Sequence, residues 1–164
     1  MNVMTPSLAN RIDAPDQPGI SEIAAATAEM CIATRVRQLS RIITRVYDDA
    51  MRPHGITASQ YTLLTQLAQR DGITAVEIGF ALDIEKSTLS RNLKRLLALQ
   101  LIIMDPPAGR KGRGLHLTPK GQAVIKDAFP VWREAQHRAT QVMGANSHET
   151  LDGLLHQAEK LAAT

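Results

Sequence analysis

The chain is short of the residues on which several classes of protein depend. Its 164 residues include a single cysteine, Cys31, which excludes a framework of intramolecular disulfides and fits a reducing cytoplasm. Aromatic residues make up 3% of the chain, too few for the stacking platforms that bind single-stranded nucleic acid. No apolar run approaches the roughly 18 residues of a membrane-spanning helix, so we expect a cytoplasmic protein that does not enter a membrane.

Sequence signatures of catalysis are absent as well. The chain has no glycine-rich phosphate loop, no Gly-x-Ser-x-Gly elbow and no zinc-protease motif, so the sequence predicts neither an enzyme nor a bound cofactor. His148, Asp152 and His156 share one helical face, but no cysteine or further carboxylate is clearly placed beside them. We therefore interpret them as surface residues of a terminal helix and predict no metal site.

The length and composition indicate one folded domain after a short tail. Residues 1–20 are rich in proline, asparagine and aspartate and lack the charged-then-apolar order of a signal peptide, so we predict a mobile tail. Residues 21–164 are then a single domain, and the 44% of the chain that is hydrophobic is enough to form its core.

Residues 74–118 are the most informative stretch, because they read as a helix, a tight turn, a second helix and a basic hairpin. Thr74 and Glu77 have the spacing of a capping box at the start of the first helix. Glu85 is expected in the first turn of the second helix, where the helix dipole favours an anion. The second helix has one apolar stripe, which consists of Leu89, Leu93, Leu96 and Leu97.

The face opposite this stripe is cationic. At about 100° per residue it carries two hydroxyls and three cations without a carboxylate. These residues are Ser87, Thr88, Arg91, Lys94 and Arg95. A charged outer face alone is equally typical of a solvated surface helix, so the segments on either side must decide between the two interpretations.

The hairpin that follows favours DNA binding. Residues 99–104 are predicted to be an apolar strand, and residues 115–117 alternate as its partner. Between the strands, Arg110, Lys111 and Arg113 supply positive charge among glycines, as a loop that contacts phosphates or a narrow minor groove would. Residues 86–120 hold eight lysines and arginines against the single acid Asp105. The sequence therefore predicts a mainly α fold with a small β-wing, a winged helix-turn-helix over about residues 57–118 that binds double-stranded DNA.

Three segments resemble the MarR family of winged helix-turn-helix transcriptional regulators. They read STLSRNLKRL in the second helix, LTPKG after the hairpin and RPHGITASQYTLL upstream, and the similarity runs from about Cys31 to the C-terminus. The resemblance implies a homodimeric repressor or activator that binds a pseudo-palindromic operator. It also implies a signal, usually a small phenolic or other aromatic acid, or the oxidation of a cysteine.

The chain departs from the family pattern at two places. Gly109 and Lys111 stand where the family usually has an aspartate and the wing arginine that follows it, so we expect a wing without that internal ion pair. Gln100 replaces the glycine that commonly ends the second helix, and we expect that end to lack its usual left-handed cap.

Helices on both sides of the winged region carry apolar stripes that a second copy would cover. A heptad-like stripe lies on a helix predicted from about residue 23 to residue 51, and it consists of Ile32, Val36, Leu39, Ile43 and Val46. Further helices are predicted over about residues 119–162, with Leu151, Leu154, Leu155 and Leu161 on the last apolar face. Such stripes predict a two-fold homodimer whose DNA-reading helices lie about 34 Å apart.

The sequence offers two kinds of signal site. A small aromatic acid would bind between the dimer helices and the winged region, where Arg35, Tyr47, His54 and Tyr61 are the polar candidates, although each fits an ordinary packing or surface role too. Cys31 is either a buried small hydrophobe or a thiolate near Arg35 that acts as a redox switch. A different class of function also fits, namely a winged helix that docks an acidic protein and has no sequence preference on DNA.

Overall fold

The computed structural model describes residues 18–106 and 112–162, so most of the expected tail lies outside the described residues. The elements are α1 (Ile20–Met30), α2 (Ile32–Met51), α3 (Ala58–Gln69), α4 (Ala75–Ala81), α5 (Lys86–Ala98), β1 (Ile102–Met104), β2 (Leu115–Leu117), α6 (Pro119–Met143) and α7 (Ser147–Ala162), with a short 3-10 turn at Arg52–His54. This order confirms the predicted fold class, mainly helical with one two-stranded wing. Helix α1 begins at Ile20, within the range predicted as tail.

The chain forms two compact units that divide between Ser40 and Arg41, inside α2. In the first unit, the prediction of one continuous helix from about residue 23 is wrong: α1 and α2 meet at Cys31, whose ψ of 106° is extended. No residue of α1 is buried. Because cysteine, isoleucine and threonine are weak helix formers, neither packing nor propensity carries the helix through this point.

The core of the second unit lies where α3, α4, α5 and the wing meet. Its largest fully buried side chains are Met51, Leu63, Leu64, Leu67, Ile78, Leu96, Ile102 and Leu115. Helix α3 is fixed at its start by the predicted capping box, in which the Thr57 hydroxyl accepts from the Gln60 amide at 3.3 Å. The Asp48 carboxylate accepts a further bond from the Ala58 amide at 2.8 Å, so the end of α2 is joined to the start of α3.

The turn between α4 and α5 is tight because one residue adopts a left-handed conformation. Asp83 has φ of 47°, a region that aspartate tolerates better than most residues. Helix α4 starts at the predicted capping box, where the Thr74 amide donates to Glu77 at 2.8 Å and the Glu77 amide donates to the Thr74 hydroxyl at 3.3 Å. These local bonds favour a helix-turn-helix at this point of the chain.

The wing is an antiparallel pair in which Ile103 lies opposite His116. Strand β2 also bonds the segment before α4: the Gly72 amide donates to the Leu115 carbonyl at 3.1 Å, and the Leu115 amide donates to the Ile73 carbonyl at 3.0 Å. The prediction of a strand from residue 99 is wrong, because residues 99–101 form the turn between α5 and β1. Leu99 and Leu101 are apolar because they pack in the core, whereas Gln100 is exposed.

Helix α5 ends in a Schellman motif, so the predicted lack of a left-handed cap is also wrong. Gln100 has φ of 58°, its amide donates to Leu97 at 2.9 Å, and the Leu101 amide donates to Leu96 at 3.0 Å. These two backbone bonds form without a glycine. They offset the steric cost that a residue with a Cβ atom meets in this region.

The LTPKG segment holds this helix end in place. The Thr118 hydroxyl donates to the Gln100 carbonyl at 2.7 Å and accepts from the Gly121 amide at 3.0 Å. The Lys120 ammonium donates to the Leu99 carbonyl at 2.9 Å, where the negative end of the helix dipole favours a cation. One short segment thus caps α6 and satisfies the carbonyls of the residues that follow α5.

Helices α6 and α7 complete the second unit. The Tyr47 hydroxyl donates to Gln136, which joins the last part of α2 to α6. Gly144, with φ of 100°, ends α6 as the sequence predicts. Many apolar side chains on these helices are exposed, namely Phe129, Val142, Leu151, Leu154, Leu155 and Leu161. None of the helices in the described ranges is long and apolar enough to cross a membrane.

Gly121 is expected to be indispensable, because α6 starts against the backbone of Leu101. A Cβ atom at Gly121 would overlap the Leu101 carbonyl oxygen and lie 3.1 Å from its carbon. We expect Gly121→Ala to lower the free energy of unfolding by about 1–3 kcal/mol. The control is Gly153→Ala in α7, where a Cβ meets nothing within 4 Å, and which should raise stability by about 0.5–1 kcal/mol. Urea denaturation followed by circular dichroism measures both; equal midpoints for Gly121→Ala and the wild type would contradict the packing argument.

Candidate nucleic-acid interface

The structure brings the predicted DNA-binding residues of α5 onto one face. Ser87, Arg91, Lys94 and Arg95 are exposed and Thr88 is half-buried. The buried residues of the helix are Leu89, Leu93 and Leu96, on the opposite side. The helix therefore uses its apolar stripe for the core and presents its cations outward.

The cations of this face have no carboxylate partners among the residues that the structure describes. None of Arg91, Lys94 and Arg95 lies within ion-pair distance of an acid there. The Arg91 guanidinium donates to the Thr88 hydroxyl at 3.2 Å, which orients it along the helix surface. Unpaired cations on a rigid helix are what binding of a polyanion requires.

The start of α5 is capped by Glu85, which precedes the helix and does not lie in its first turn as predicted. Its carboxylate accepts from the Ser87 amide at 2.8 Å, from the Thr88 amide at 3.1 Å and from the Ser87 hydroxyl. These hydrogen bonds lower the pKa of Glu85 below its ordinary value. The Ser87 hydroxyl is thereby held at the helix start, with its oxygen still free to accept.

In the wing, the structure places one of the three predicted cations. The Arg113 guanidinium donates to the Asp105 carbonyl at the base of the hairpin. Arg110 and Lys111 lie outside the described residues, as does Gly109. An ion pair does occur at the hairpin base, where His116 approaches Asp105 to 3.1 Å.

His116 also contacts Asp71, and sequence reasoning missed both contacts. The imidazole Nδ1 lies 2.9 Å from the Asp71 carboxylate, in the turn between α3 and α4. The hydrogen bond and charge of Asp71, with a smaller contribution from Asp105, raise the pKa of His116 above its ordinary value. The alternation of Leu115, His116 and Leu117 signals that the histidine faces outward, but 45 residues separate it from Asp71.

A cavity of about 670 Å³ lies beside the cationic face, between α4, α5 and β1. Most of its lining is apolar, and the polar groups at it belong to Lys86, Ser90 and Lys94. The remaining lining residues are Ala75, Val76, Gly79, Ile84, Leu89, Leu93, Leu97 and Met104. Its size and its few polar groups are typical of a small-molecule site.

Three of the four predicted effector residues, Tyr47, His54 and Tyr61, belong to the second unit. Tyr61 is buried in the core, and Tyr47 uses its hydroxyl on Gln136; burial raises the pKa of both phenols. His54 is half-buried in the turn after α2. Arg35 belongs to the first unit, is exposed and donates to Gln38 at 3.5 Å.

Cys31 is partly exposed at the break between α1 and α2. Hydrogen bonds to Thr34 lower the pKa of its thiol. The histidines of α7 pair within their own helix, His148 with Asp152 at 3.1 Å and His156 with Glu159 at 3.6 Å. In the described part of the chain, no three or more histidine, cysteine, aspartate or glutamate side chains are arranged so that they could hold a metal ion.

Known proteins are similar to this chain in sequence, and solved structures are similar to it in fold. The pattern of the MarR family matches residues 54–111. A Thauera aromatica protein named as a regulatory protein for the hcr operon is 30% identical over 73% of this chain and 68% of its own. The multiple antibiotic resistance protein MarR of Salmonella typhimurium is 30% identical over 68% of this chain and 78% of its own.

Solved structures of transcriptional regulators are also similar to this chain. The transcriptional regulator MosR of M. tuberculosis is 29% identical, with a TM-score of 0.71 over 80% of this chain and 98% of that one. Its crystal structure in complex with DNA matches with a TM-score of 0.70 at 28% identity. With the winged helix-turn-helix and its unpaired cationic face, these likenesses establish that the chain belongs to the MarR family of DNA-binding transcriptional regulators, which are not enzymes.

Proposed function

We propose that this protein is a homodimeric repressor that binds a pseudo-palindromic operator and is released from it by a small aromatic acid. The observation that carries the DNA-binding part is the cationic face of α5, whose described cations have no acid partner. Ser87, Thr88, Arg91, Lys94 and Arg95 would enter the major groove. Arg113, together with Arg110 and Lys111, would reach the adjacent minor groove or its phosphates.

Exposed apolar side chains support the homodimer. In the first unit they include Ile20, Ile23, Met30, Ile32, Val36 and Leu39, and in the second unit Leu154, Leu155 and Leu161. Monomeric proteins rarely leave so many large apolar groups in water, which favours a partner surface. A second copy is the economical partner, because a two-fold dimer presents two α5 helices to two half-sites.

Selection of bound sequences from random duplex DNA tests this function. At about 150 mM salt, where non-specific phosphate binding is weak, we expect enrichment of a palindrome whose half-sites are one helical turn apart. An enriched single half-site would contradict the dimer. No enrichment at all would favour the alternative in which the cationic face docks an acidic protein.

Arg91 and Lys94 are expected to contribute differently to binding. Arg91 is oriented by Thr88 and suits a bidentate bond to a guanine, so Arg91→Ala should cost about 1–3 kcal/mol on the selected operator and much less on random DNA. Lys94→Ala should weaken binding to the operator and to random DNA equally. It should also lower the slope of affinity against salt concentration by about the amount of one phosphate contact. Fluorescence anisotropy over a salt series measures this. Lys126→Ala, an exposed cation of α6, is the control, and an equal loss on both DNAs for Arg91→Ala would refute base reading.

The cavity between α4 and α5 has a lining that suits the proposed effector. An aromatic ring would occupy its apolar interior, and a carboxylate would meet the ammonium groups of Lys86 and Lys94. Because Lys94 also belongs to the DNA-binding face, a bound acid would neutralise a cation that the operator needs. Release from DNA then follows from competition for one charge.

Filling this cavity should make the protein insensitive to the effector. Val76 lines the cavity and is 79% exposed, so Val76→Trp can cover it without disturbing the core. We expect the concentration of hydroxybenzoate that releases half of the operator to rise roughly tenfold, equivalent to about 1.4 kcal/mol. Phe80→Trp, on the same helix but not in the lining, should behave as the wild type. An unchanged response in Val76→Trp, with loss of response in Tyr47→Phe, would move the site to the predicted effector residues.

Oxidation of Cys31 is the second candidate for the signal that releases the protein from its operator. Its partial exposure and the lowered pKa of its thiol favour oxidation to a sulfenic acid. Peroxide should then release the wild type from its operator and leave Cys31→Ser bound. Release of both proteins to the same extent would remove Cys31 from consideration.

A further inference from the structure

The wing is joined to the rest of the winged region by a bridge of three side chains centred on His116. The imidazole Nδ1 lies 2.9 Å from Asp71 Oδ1, and Nε2 lies 3.1 Å from Asp105 Oδ1. The side chains of His116, Asp71 and Asp105 are 29%, 77% and 51% exposed, so water reaches both carboxylates and screens the two ion pairs. One ring therefore connects the turn before α4, the end of β1 and the middle of β2.

Only the protonated ring can make both bonds. An ionised carboxylate accepts hydrogen bonds and cannot donate, while a neutral imidazole has one N–H donor and an imidazolium has two. In either neutral tautomer, one ring nitrogen would point its lone pair at a carboxylate. Losing the proton therefore breaks one of the two contacts and replaces it with repulsion.

Few other charged groups surround the bridge. The Arg113 guanidinium, which precedes β2, donates to the carbonyl of Asp105. Beyond Asp71, the Arg70 guanidinium lies 3.3 Å from the Glu77 carboxylate, so these two largely compensate each other. The bridge is also tightly packed, since a Cβ atom at Gly114 would lie 2.5 Å from Asp105 Oδ2 and 3.3 Å from His116 Nε2.

We propose that His116 is a positioning residue for DNA binding, whose protonated ring fixes the wing against the helix-turn-helix and whose deprotonation frees the Asp105 end of the wing. This inference rests on the proposed function only in assuming that the wing contacts DNA. Arg113 is the link between the two, because its guanidinium is held by the carbonyl of the same Asp105. Without the bridge, Arg113 loses a fixed position relative to α5.

The sign of the pH dependence follows from the direction of the shift. Two carboxylates raise the pKa of His116 above the ordinary value of 6.5, so the bridge is complete below that value. It is lost as the pH rises through the higher pKa of the folded protein. Nearby DNA phosphates favour the cation further, and DNA binding should therefore take up protons and weaken as the pH rises.

Loss of the bridge does not unfold the wing. Strand β2 keeps its backbone bonds from the Gly72 amide and to the Ile73 carbonyl, and Leu115 stays fully buried. The register between β1 and β2 is likewise fixed by backbone pairing. The effect is thus confined to the Asp105 end of the hairpin: as the pH rises, the fold loses the stability that the bridge supplies but keeps its backbone pairing.

The experiment compares the pH dependence of DNA binding in the full chain and its variants. For the wild type, we expect the affinity for the selected operator to fall roughly tenfold between about pH 6 and about pH 8. Glutamine is uncharged at both pH values. The affinity of His116→Gln for the operator should therefore not change with pH and should equal that of the wild type at high pH. His156→Gln removes a histidine that also pairs with a carboxylate, but on α7, and should keep the wild-type slope. Asp71→Asn should move the midpoint of the pH dependence of DNA binding to lower pH. This variant replaces His116→Gln in the test if His116→Gln folds poorly.

Proton NMR of the free protein tests the bridge apart from DNA. The His116 ring should titrate above 6.5 in the wild type and lower in Asp71→Asn, and exchange of the Asp105 amide with solvent should rise through the same pH range. A wild-type pH slope retained in His116→Gln would overturn the proposal, as would a His116 ring that titrates at or below 6.5. If the NMR results hold and no DNA binds at any pH, the proposed function fails while the bridge stands.

Discussion

The winged region depends on how the carbonyls of residues 99–101, directly after α5, are satisfied. A helix that must present its outer face to DNA cannot bury that face, so it has to be held from one side and at its ends. The Leu99, Gln100 and Leu101 carbonyls all receive bonds from the 118–121 segment. This junction fixes three things at once: the axis of α5, the first residues of β1 and the start of α6.

The capping of α5 also explains the distribution of charge along this helix. Glu85 directly precedes α5, and one of its carboxylate oxygens accepts hydrogen bonds from two amides and a hydroxyl at the helix start. A carboxylate placed there strengthens the helix through its dipole without neutralising Arg91 or Lys94 by direct pairing. The face can therefore be strongly positive and still belong to a well-capped helix, which is the condition for binding an anion with little reorganisation.

Local sequence was sufficient to predict the elements that are held by local bonds. The capping boxes at Thr57 and Thr74 and the break at Gly144 involve partners within a few residues of each other, and the structure has them all. The errors arose where apolar residues serve a tertiary purpose. Residues 99–101 have the composition of a strand, but the backbone bonds of a Schellman motif, anchored from residues 118–121, make them the turn after α5.

The candidate site likewise has one part that local sequence predicts and one part that depends on tertiary contacts. The cationic face follows from helical periodicity, so the sequence predicts it residue by residue. The His116 bridge needs the turn after α3 and the end of β1 to meet at the middle of β2, a juxtaposition that exists only once the wing has folded onto residues 72–74. Bonds between distant residues that need a particular protonation state leave no periodic trace in a sequence. Any control that pH exerts on the DNA-binding surface therefore has to be found in the geometry of the folded wing.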